Sequence, residues 1–158
     1  MIFLSAIGEA GIVWILISII LACFPKTRRC GITMMISMAL TFLLGNLILK
    51  NLIARPRPCA IDTNIKLLVK FPSEYSFPSG HTMNGFTAAV SIFLYHKRAG
   101  IAALLLAAAI AFSRMYLFVH FPTDILGGIV LGTLDAILTY YVVKRAFAAK
   151  REMPQDDR

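Results

Sequence analysis

The stretch Gly31–Leu49, GITMMISMALTFLLGNLIL, carries no charged side chain along its whole length. A helix needs roughly 20 predominantly apolar residues to cross the hydrocarbon core of a bilayer, so this stretch predicts a transmembrane span. The composition agrees, since 58% of the 158 residues are hydrophobic and 15% are charged. Soluble domains have about 45–50% apolar and about 25% charged residues. The sequence therefore predicts a membrane protein.

Four further apolar stretches flank this run, and each is predicted to span the membrane as a helix. They are Ile2–Phe24, Thr82–Tyr95, Ala99–Val119 and Ile125–Val143. The predicted fold class is all-α, a polytopic transmembrane helix bundle of about five spans. One membrane-embedded domain covers residues 1–149, and residues 150–158 form a polar tail that we expect to be disordered.

Basic residues cluster at three places beside these spans, and their positions predict the topology. They are Lys26–Arg29, Lys97–Arg98 and Lys144–Arg151. With five spans all three clusters lie on one side, which the positive-inside rule makes cytoplasmic. The segments Lys50–Ser79 and Arg114–Asp124 then face outward. A net charge of +8 that sits in short clusters between apolar runs fits membrane loops, so no nucleic-acid partner is expected.

The cysteines and the N-terminal residues give no sign of a disulfide-rich, zinc-binding or secreted protein. Cys23, Cys30 and Cys59 cannot pair completely and match no zinc spacing, so neither a disulfide framework nor a zinc site is predicted. The first apolar run has no basic leader, so no cleavable signal peptide is predicted. The apolar residues of Ile65–Phe71, with Lys66 and Lys70 among them, predict a short interfacial helix.

Three short motifs lie on the predicted outer side, at the ends of spans two to five. They are KNLIARPRP at Lys50–Pro58, PSGH at Pro78–His81, and Ser113-Arg114 followed by His120 and Asp124. Packing of the helices as a bundle brings these ends together. So many cations on the outer side run against the positive-inside rule, and anion binding explains them.

The first group of these residues has the chemistry of a phosphate site. Lys50, Arg57 and Arg114 supply positive charge and hydrogen-bond donors for phosphate oxygens. Ser79 and the backbone of Gly80 precede a predicted helix N-terminus, where free N–H groups and the helix dipole favour an anion.

The second group has the chemistry of bond cleavage. Of His81 and His120, one can attack phosphorus while the other protonates the leaving oxygen. Asp124 follows His120 by four residues, which makes the two side chains neighbours on a helical turn. The carboxylate can then hold the imidazole tautomer, as the aspartate does in a hydrolase triad.

The ordered set K-x6-RP, PSGH and SR-x5-H-x3-D resembles the signature of the type 2 phosphatidic acid phosphatase superfamily. The resemblance implies that His120 is the nucleophile that becomes a phosphohistidine, that His81 is the general acid, and that Asp124 is the partner of His120. It also implies a phosphate-binding set, and neither a metal nor a cofactor. That set is Lys50, Arg57, Ser79, Gly80 and Arg114. Membrane members often have six spans, whereas five are predicted here.

The function expected from this resemblance is hydrolysis of a phosphate monoester or diphosphate of a membrane lipid, with undecaprenyl diphosphate favoured. Phosphatidylglycerophosphate or phosphatidic acid is the alternative substrate. A non-catalytic phospholipid-binding or transport protein is the alternative of another class, and the intact His81, His120 and Asp124 count against it. The expected location is the cell membrane, as a multi-pass protein with an extracytoplasmic site. The sequence leaves the oligomeric state open.

Several polar residues near the motifs have a structural interpretation. Arg55 is interpreted as a headgroup anchor in preference to a second phosphate contact. Asn46 and Asn84 are expected to make interhelical hydrogen bonds. Asp135 lies deep in span five and is expected to bond a hydroxyl at similar depth. The hydroxyl candidates are Ser37, Thr41 and Ser91, and the small residues Gly127, Gly128 and Gly132 are expected to permit close helix packing.

Overall fold

The computed structural model describes residues 1–3 and 11–152, with side chains through residue 149. Within these residues the regular structure is helical throughout. The helices are α1 (Ile12–Cys23), α2 (Arg28–Thr41), π1 (Phe42–Leu49), α3 (Lys50–Ile53), α4 (Pro58–Ile61), α5 (Gly80–Tyr95), α6 (Lys97–Tyr116) and α7 (Pro122–Glu152). Helices α2, π1 and α3 follow one another without a break, so the second predicted span continues beyond Leu49.

The transmembrane, all-helical character of the chain is confirmed. Three described segments are long and apolar enough to cross a bilayer, namely Arg28–Ile61, Lys97–Tyr116 and Pro122–Ala149. Helix α1 is apolar but shorter, and the beginning of the first predicted span lies outside the described residues. The number of five spans stays a prediction. Helix α7 reaches Glu152, and residues 153–158 of the predicted tail lie outside the described part.

Helix α5 packs against α2, α6 and α7, and small residues on α7 let the backbones approach closely. A Cβ atom on Gly132 would lie 2.5 Å from the carbonyl oxygen of Met83, and one on Gly128 would lie 3.0 Å from that of Ser79. Helices in lipid associate through such close packing, because lipid chains are as apolar as the side chains. The packing role expected of this glycine stripe is therefore confirmed.

A buried polar cluster joins three helices below the site. Thr41 on α2 donates its hydroxyl hydrogen to Oδ2 of Asp135 on α7 at 2.8 Å. Its oxygen also lies 2.9 Å from the hydroxyl of Thr87 on α5, which in turn donates to the carbonyl of Gly132. Asp135 therefore has the hydroxyl partner that the sequence predicts, and that partner is Thr41.

The loop between α3 and α5 differs from the prediction, because Ile65–Phe71 is not helical. Leu67 and Val69 instead pack against a small apolar cluster beneath the loop, and Pro72 disfavours a helical conformation at Phe71. The short helix of this loop is α4, which has Pro58 at its first position. Proline is well suited there, since its fixed φ fits a helix and its missing N–H costs no hydrogen bond.

The two ends of the bundle differ in their chemistry. At one end Arg29 lies over the ring of Phe147 at 5.2 Å, and Tyr95 stacks edge-on with Tyr140 at 5.1 Å. The three basic clusters thus meet at this end. The ends of π1 and α6 and the beginnings of α5 and α7 meet at the other end, and the motif residues lie there.

Candidate active site

A cavity of about 550 Å³ opens at the end of the bundle where π1, α5 and the α6–α7 turn converge. Four cationic side chains, one carboxylate and two histidines line it. They are Lys50, Arg57, Lys70, Arg114, Glu74, His81 and His120. The excess of cations makes the cavity suited to an anion with more than one negative charge.

His120 lies on the turn between α6 and α7 and is almost completely buried. Its Nδ1 lies 3.5 Å from Oδ2 of Asp124, and its Nε2 lies 3.1 Å from Nη1 of Arg57. A guanidinium group only donates hydrogen bonds, so Nε2 must be the acceptor and carry the lone pair of the neutral ring. The proton of the neutral ring is then on Nδ1, facing the carboxylate, and Nε2 faces the cavity as a nucleophile.

The charge state of this ring follows from its surroundings. Burial lowers the pKa of His120 to about 4, while the hydrogen bond with Asp124 opposes that shift and the nearby Arg57 adds to it. The ring is therefore neutral at physiological pH. A neutral ring is what nucleophilic attack requires, because the protonated ring has no lone pair to donate.

Asp124 is fully buried and has four partners. Ser76 donates its hydroxyl hydrogen to Oδ2, and the backbone N–H of Phe121 donates to the same oxygen at 2.9 Å. Arg55 donates from Nη1 to Oδ1 at 2.8 Å, and His120 is the fourth partner. A buried carboxylate that is paired and hydrogen-bonded in this way keeps its charge and its orientation.

The interpretation of Arg55 as a headgroup anchor is wrong. Its guanidinium bonds Thr123 Oγ1 at 2.6 Å as well as Asp124, and it lies 4.2 Å from the centre of the Phe121 ring. Ala54 adopts a positive φ of 50°, and this turn directs the chain from α3 back over the site. Neither Arg55 nor Ser76 has a sequence signal for this role beyond its closeness to the motifs.

Backbone carbonyl groups hold Arg57 in place. It donates from Nε to the carbonyl of Glu74 at 2.7 Å, from Nη1 to that of Val119 at 3.0 Å, and from Nη2 to that of Tyr75 at 3.3 Å. The side chain is therefore fixed before any ligand arrives, and it ties the long outer loop to the histidine turn. This rigidity favours binding, since little ordering remains to be done.

Lys50 forms an ion pair with Glu74, a residue that the sequence analysis missed. The Lys50 side chain is 7% exposed, whereas the Glu74 side chain is 64% exposed. The hydrogen bond from Lys50 lowers the pKa of Glu74, so the carboxylate is charged at neutral pH. A carboxylate thus occupies the place beside Lys50 that a phosphate oxygen would take.

The PSGH motif begins helix α5. A Cβ atom on Gly80 would lie 3.0 Å from Oδ1 of Asn46 and 3.7 Å from Nζ of Lys50, so only glycine leaves this space open. His81 lines the cavity, and its Nε2 is buried without a hydrogen-bond partner among the described residues. This atom is suited to form a hydrogen bond with a ligand in the cavity, because buried polar groups are normally hydrogen-bonded.

The structure brings most of the predicted site residues together. The cavity-lining members are Lys50, Arg57, Gly80, His81, Arg114 and His120. Asp124 lies directly behind His120. Ser79 is fully buried, accepts a hydrogen bond from Thr82, and is not among the residues that line the cavity. Its N–H donates to the carbonyl of Asp124 at 3.2 Å, so it joins α5 to α7.

Two histidines at a cationic cavity, one of them backed by a buried carboxylate, define a membrane-embedded hydrolase of phosphate compounds. A family model of the PAP2 superfamily matches residues 31–148. The chain belongs to the PAP2 superfamily, and the resemblance inferred from the three motifs is confirmed.

Known relatives agree with this assignment. The chain is 35% identical to an undecaprenyl-diphosphatase of Sulfolobus acidocaldarius, over 90% of this chain and 68% of that protein. It is 32% identical to a decaprenylphosphoryl-5-phosphoribose phosphatase of Mycobacterium tuberculosis, over 94% of this chain and 82% of that one. The crystal structure of a PAP2-type phosphatidylglycerolphosphate phosphatase of Bacillus subtilis superposes with a TM-score of 0.70 and 29% identity, covering 99% of this chain and 78% of that one.

Proposed function

We propose that this protein hydrolyses the phosphate of a membrane lipid through a phosphohistidine at His120, and that its substrate is undecaprenyl diphosphate. The observation that carries the proposal is the arrangement of the His120 ring, whose Nε2 faces a cationic cavity while Nδ1 faces the buried Asp124. The similarity to an undecaprenyl-diphosphatase supports the choice of substrate.

Binding begins with an exchange of anions. The terminal phosphate displaces the carboxylate of Glu74 from Lys50, and its oxygens accept hydrogen bonds from Lys50, Arg57 and Arg114. The free N–H groups at the beginning of α5, next to Gly80, add donors and the positive end of the helix dipole.

Two displacement steps follow. Nη1 of Arg57 moves its hydrogen bond from Nε2 of His120 to a phosphate oxygen. His81, whose pKa burial lowers to about 3, takes up a proton together with the phosphate anion, whose negative charge opposes that shift. Nε2 then forms a bond to phosphorus while the bond from phosphorus to the leaving oxygen breaks, and the protonated His81 gives its proton to that oxygen. A water molecule then attacks the phosphohistidine, His81 takes a proton from this water, and the phosphorus–nitrogen bond breaks. Inorganic phosphate leaves, and both histidines return to their first state.

Asp124 has an electrostatic role in both steps. Phosphorylation makes the imidazole cationic, and a carboxylate at Nδ1 stabilises that cation and keeps the ring in one orientation. Arg55, Ser76 and the Phe121 N–H hold the carboxylate in place and act through it. We therefore regard these three as positioning groups.

We also propose that the site faces the extracytoplasmic side. The three basic clusters and the cavity lie at opposite ends of the bundle, and basic clusters next to spans favour the cytoplasmic side. An outer site agrees with a substrate whose headgroup is at the outer leaflet. Cys59 lies on this side, beside the motif that contains Arg57, but it is buried. A cysteine introduced at the exposed Asp62 is therefore a better reporter for an impermeant maleimide.

Phosphatidylglycerophosphate is the second candidate substrate, because the solved phosphatidylglycerolphosphate phosphatase of Bacillus subtilis shares the fold over nearly the whole of this chain. The test is phosphate release by purified protein from undecaprenyl diphosphate, phosphatidylglycerophosphate and phosphatidic acid, in detergent with EDTA present. We expect the largest kcat/KM for undecaprenyl diphosphate and none for His120→Ala. Release from no lipid, or only after a divalent ion is added, would contradict the proposal.

A further inference from the structure

Two asparagine side chains line the catalytic cavity on its membrane side. Asn46 precedes Lys50 by about one helical turn, and Asn84 follows His81 by about one turn on the same face of α5. Both therefore lie deeper in the bundle than the phosphate-binding groups. The cavity lining also includes the apolar side chains of Phe42, which precedes Asn46 by about one helical turn, and Ile2.

The interhelical hydrogen bonds expected of these asparagines are not formed within the described part of the chain. Neither carboxamide has a hydrogen-bond partner there, although other polar groups nearby are paired. Both side chains are only half-buried, so their amides are accessible from the cavity. Two accessible amides in a bundle interior are an unusual feature, because polar groups at membrane depth normally pair across helices.

Their position is fixed by close contacts. Oδ1 of Asn46 and Nζ of Lys50 both lie within 4 Å of the point where a Cβ atom of Gly80 would be. Nδ2 of Asn84 lies 3.3 Å from the corresponding point of Gly11. The amide of Asn46 is thus close to Lys50, and the amide of Asn84 is close to the backbone of Gly11.

We infer that Asn46 and Asn84 form a leaving-group subsite that binds the second, lipid-linked phosphate of a diphosphate substrate. This inference rests on the proposed function and specifies the substrate class as lipid diphosphates in preference to lipid monophosphates. His81 and Asn84 lie on one face of α5, so the group that His81 protonates must leave along that face. The amide NH₂ groups are then the first donors that the leaving phosphate meets.

The chemistry of the subsite suits a product that must depart. Carboxamides donate hydrogen bonds to phosphate oxygens without adding charge, so they orient the leaving phosphate and still release it as a lipid monophosphate. The cavity lining carries four cations and one carboxylate. Its net positive charge therefore exceeds the negative charge of one phosphate group. Phe42, farther along the cavity and exposed, is placed to contact the first carbons of the lipid chain.

A matched pair of substrates tests the inference: farnesyl diphosphate and farnesyl monophosphate, which share one chain and differ by one phosphate. In Asn46→Leu and Asn84→Leu, kcat/KM for the diphosphate should fall about 10- to 100-fold, the effect of losing one hydrogen bond to a charged group. For the monophosphate it should change by less than about threefold, because no second phosphate is present to lose that bond. The control is Asn51→Leu, since Asn51 is exposed and bonds its own helix at the carbonyl of Leu47.

The outcomes are distinct. Equal losses on both substrates, or no loss on either, would overturn the subsite. Wild-type protein that releases phosphate from neither substrate would instead refute the proposed function. Should the leucine variants misfold, inhibition of the wild-type enzyme decides: methylenediphosphonate should inhibit more strongly than inorganic phosphate, and Asn46→Ser and Asn84→Ser should remove that difference. Equal inhibition by the two anions in the wild-type enzyme would also overturn the subsite.

Discussion

Two buried aspartates lie on helix α7, Asp124 in its first turn and Asp135 roughly 16 Å farther into the bilayer at 1.5 Å per residue. Asp124 has a cation, a hydroxyl, a backbone N–H and an imidazole as partners. Asp135 bonds the hydroxyl of Thr41 on a neighbouring helix. The two aspartates on this helix therefore differ in their surroundings, and we infer their different roles from their partners. We propose that the carboxylate beside the His120 ring supports the chemistry, whereas the carboxylate among hydroxyls supports helix packing.

Among substitutions of the carboxylates, the largest effect should come from Asp124→Asn. The amide keeps the shape of the side chain but loses the charge that stabilises a cationic His120, so kcat should fall about 1,000- to 10,000-fold. Steady-state phosphate release measures it, and circular dichroism of the same preparation checks the fold. Activity within about tenfold of wild type would mean that Asp124 is no triad partner.

Asp135→Asn should have the opposite effect, lowering stability while leaving kcat nearly unchanged. It weakens the hydrogen bond with Thr41, and side-chain bonds between membrane helices contribute about 0.6 kcal/mol on average and up to about 1.7 kcal/mol. We expect a lower thermal midpoint in detergent and a kcat within about twofold of wild type. Thr41→Val is the matched partner, and the double variant should be no less stable than the more destabilised single variant. Severe loss of kcat at an unchanged midpoint would give Asp135 a role in turnover.

Glu74 extends the comparison to an exposed carboxylate. Glu74→Gln removes the charge that competes with phosphate for Lys50, so the inhibition constant for inorganic phosphate should fall about two- to fivefold, as expected for one exposed ion pair. The value of kcat should not decrease. Asp62→Asn is the control, since Asp62 lies in the same loop and bonds the backbone of Asn64 away from the cavity. Weaker inhibition in Glu74→Gln would mean that the glutamate helps to bind the anion.

The smallest effect is on the pH profile. Because burial holds the pKa of His120 near 4 in the free enzyme, Nε2 keeps its lone pair from neutral pH down to about that value. The limb of kcat/KM assigned to His120 should therefore appear as the pH falls through about 4, and not near the ordinary histidine value. Ionisation of the substrate is measured separately by phosphorus NMR. A His120 limb near pH 6.5, once substrate ionisation is subtracted, would contradict the burial of this ring.

The sequence predicted those features that depend on local pattern. Uninterrupted apolar runs predicted the helices, and motifs at helix ends predicted which side chains meet, because packing of antiparallel helices brings alternate ends together. This reasoning predicted that Lys50, His81, His120 and Asp124 lie at one end of the bundle, and the structure brings these four side chains together there. The prediction for Asp135 also held, since an acid at membrane depth must find a polar partner on another helix.

The features that were missed depend on the path of the outer loop. Arg55, Ser76 and Glu74 reach the site because the loop folds back over it, with Ser76 N–H bonding the carbonyl of Arg55 at 2.9 Å. No periodicity encodes such a path. Long-range packing also explains the absence of the expected helix at Ile65–Phe71, since Leu67 and Val69 are partly buried against the cluster that contains Leu117 and Val119. Local apolar pattern alone cannot distinguish burial in lipid from burial beneath a loop.

The central claim is that His120, and not His81, carries the phosphoryl group. Rapid alkaline quenching during turnover of a lipid diphosphate labelled with ³²P in its terminal phosphate tests it directly, since phosphohistidine is labile in acid and stable in base. We predict label on the peptide that contains His120 in the wild-type protein, and none in His120→Ala. Label on His81, label retained in His120→Ala, or steady turnover by His120→Ala without any phosphoenzyme would contradict the mechanism.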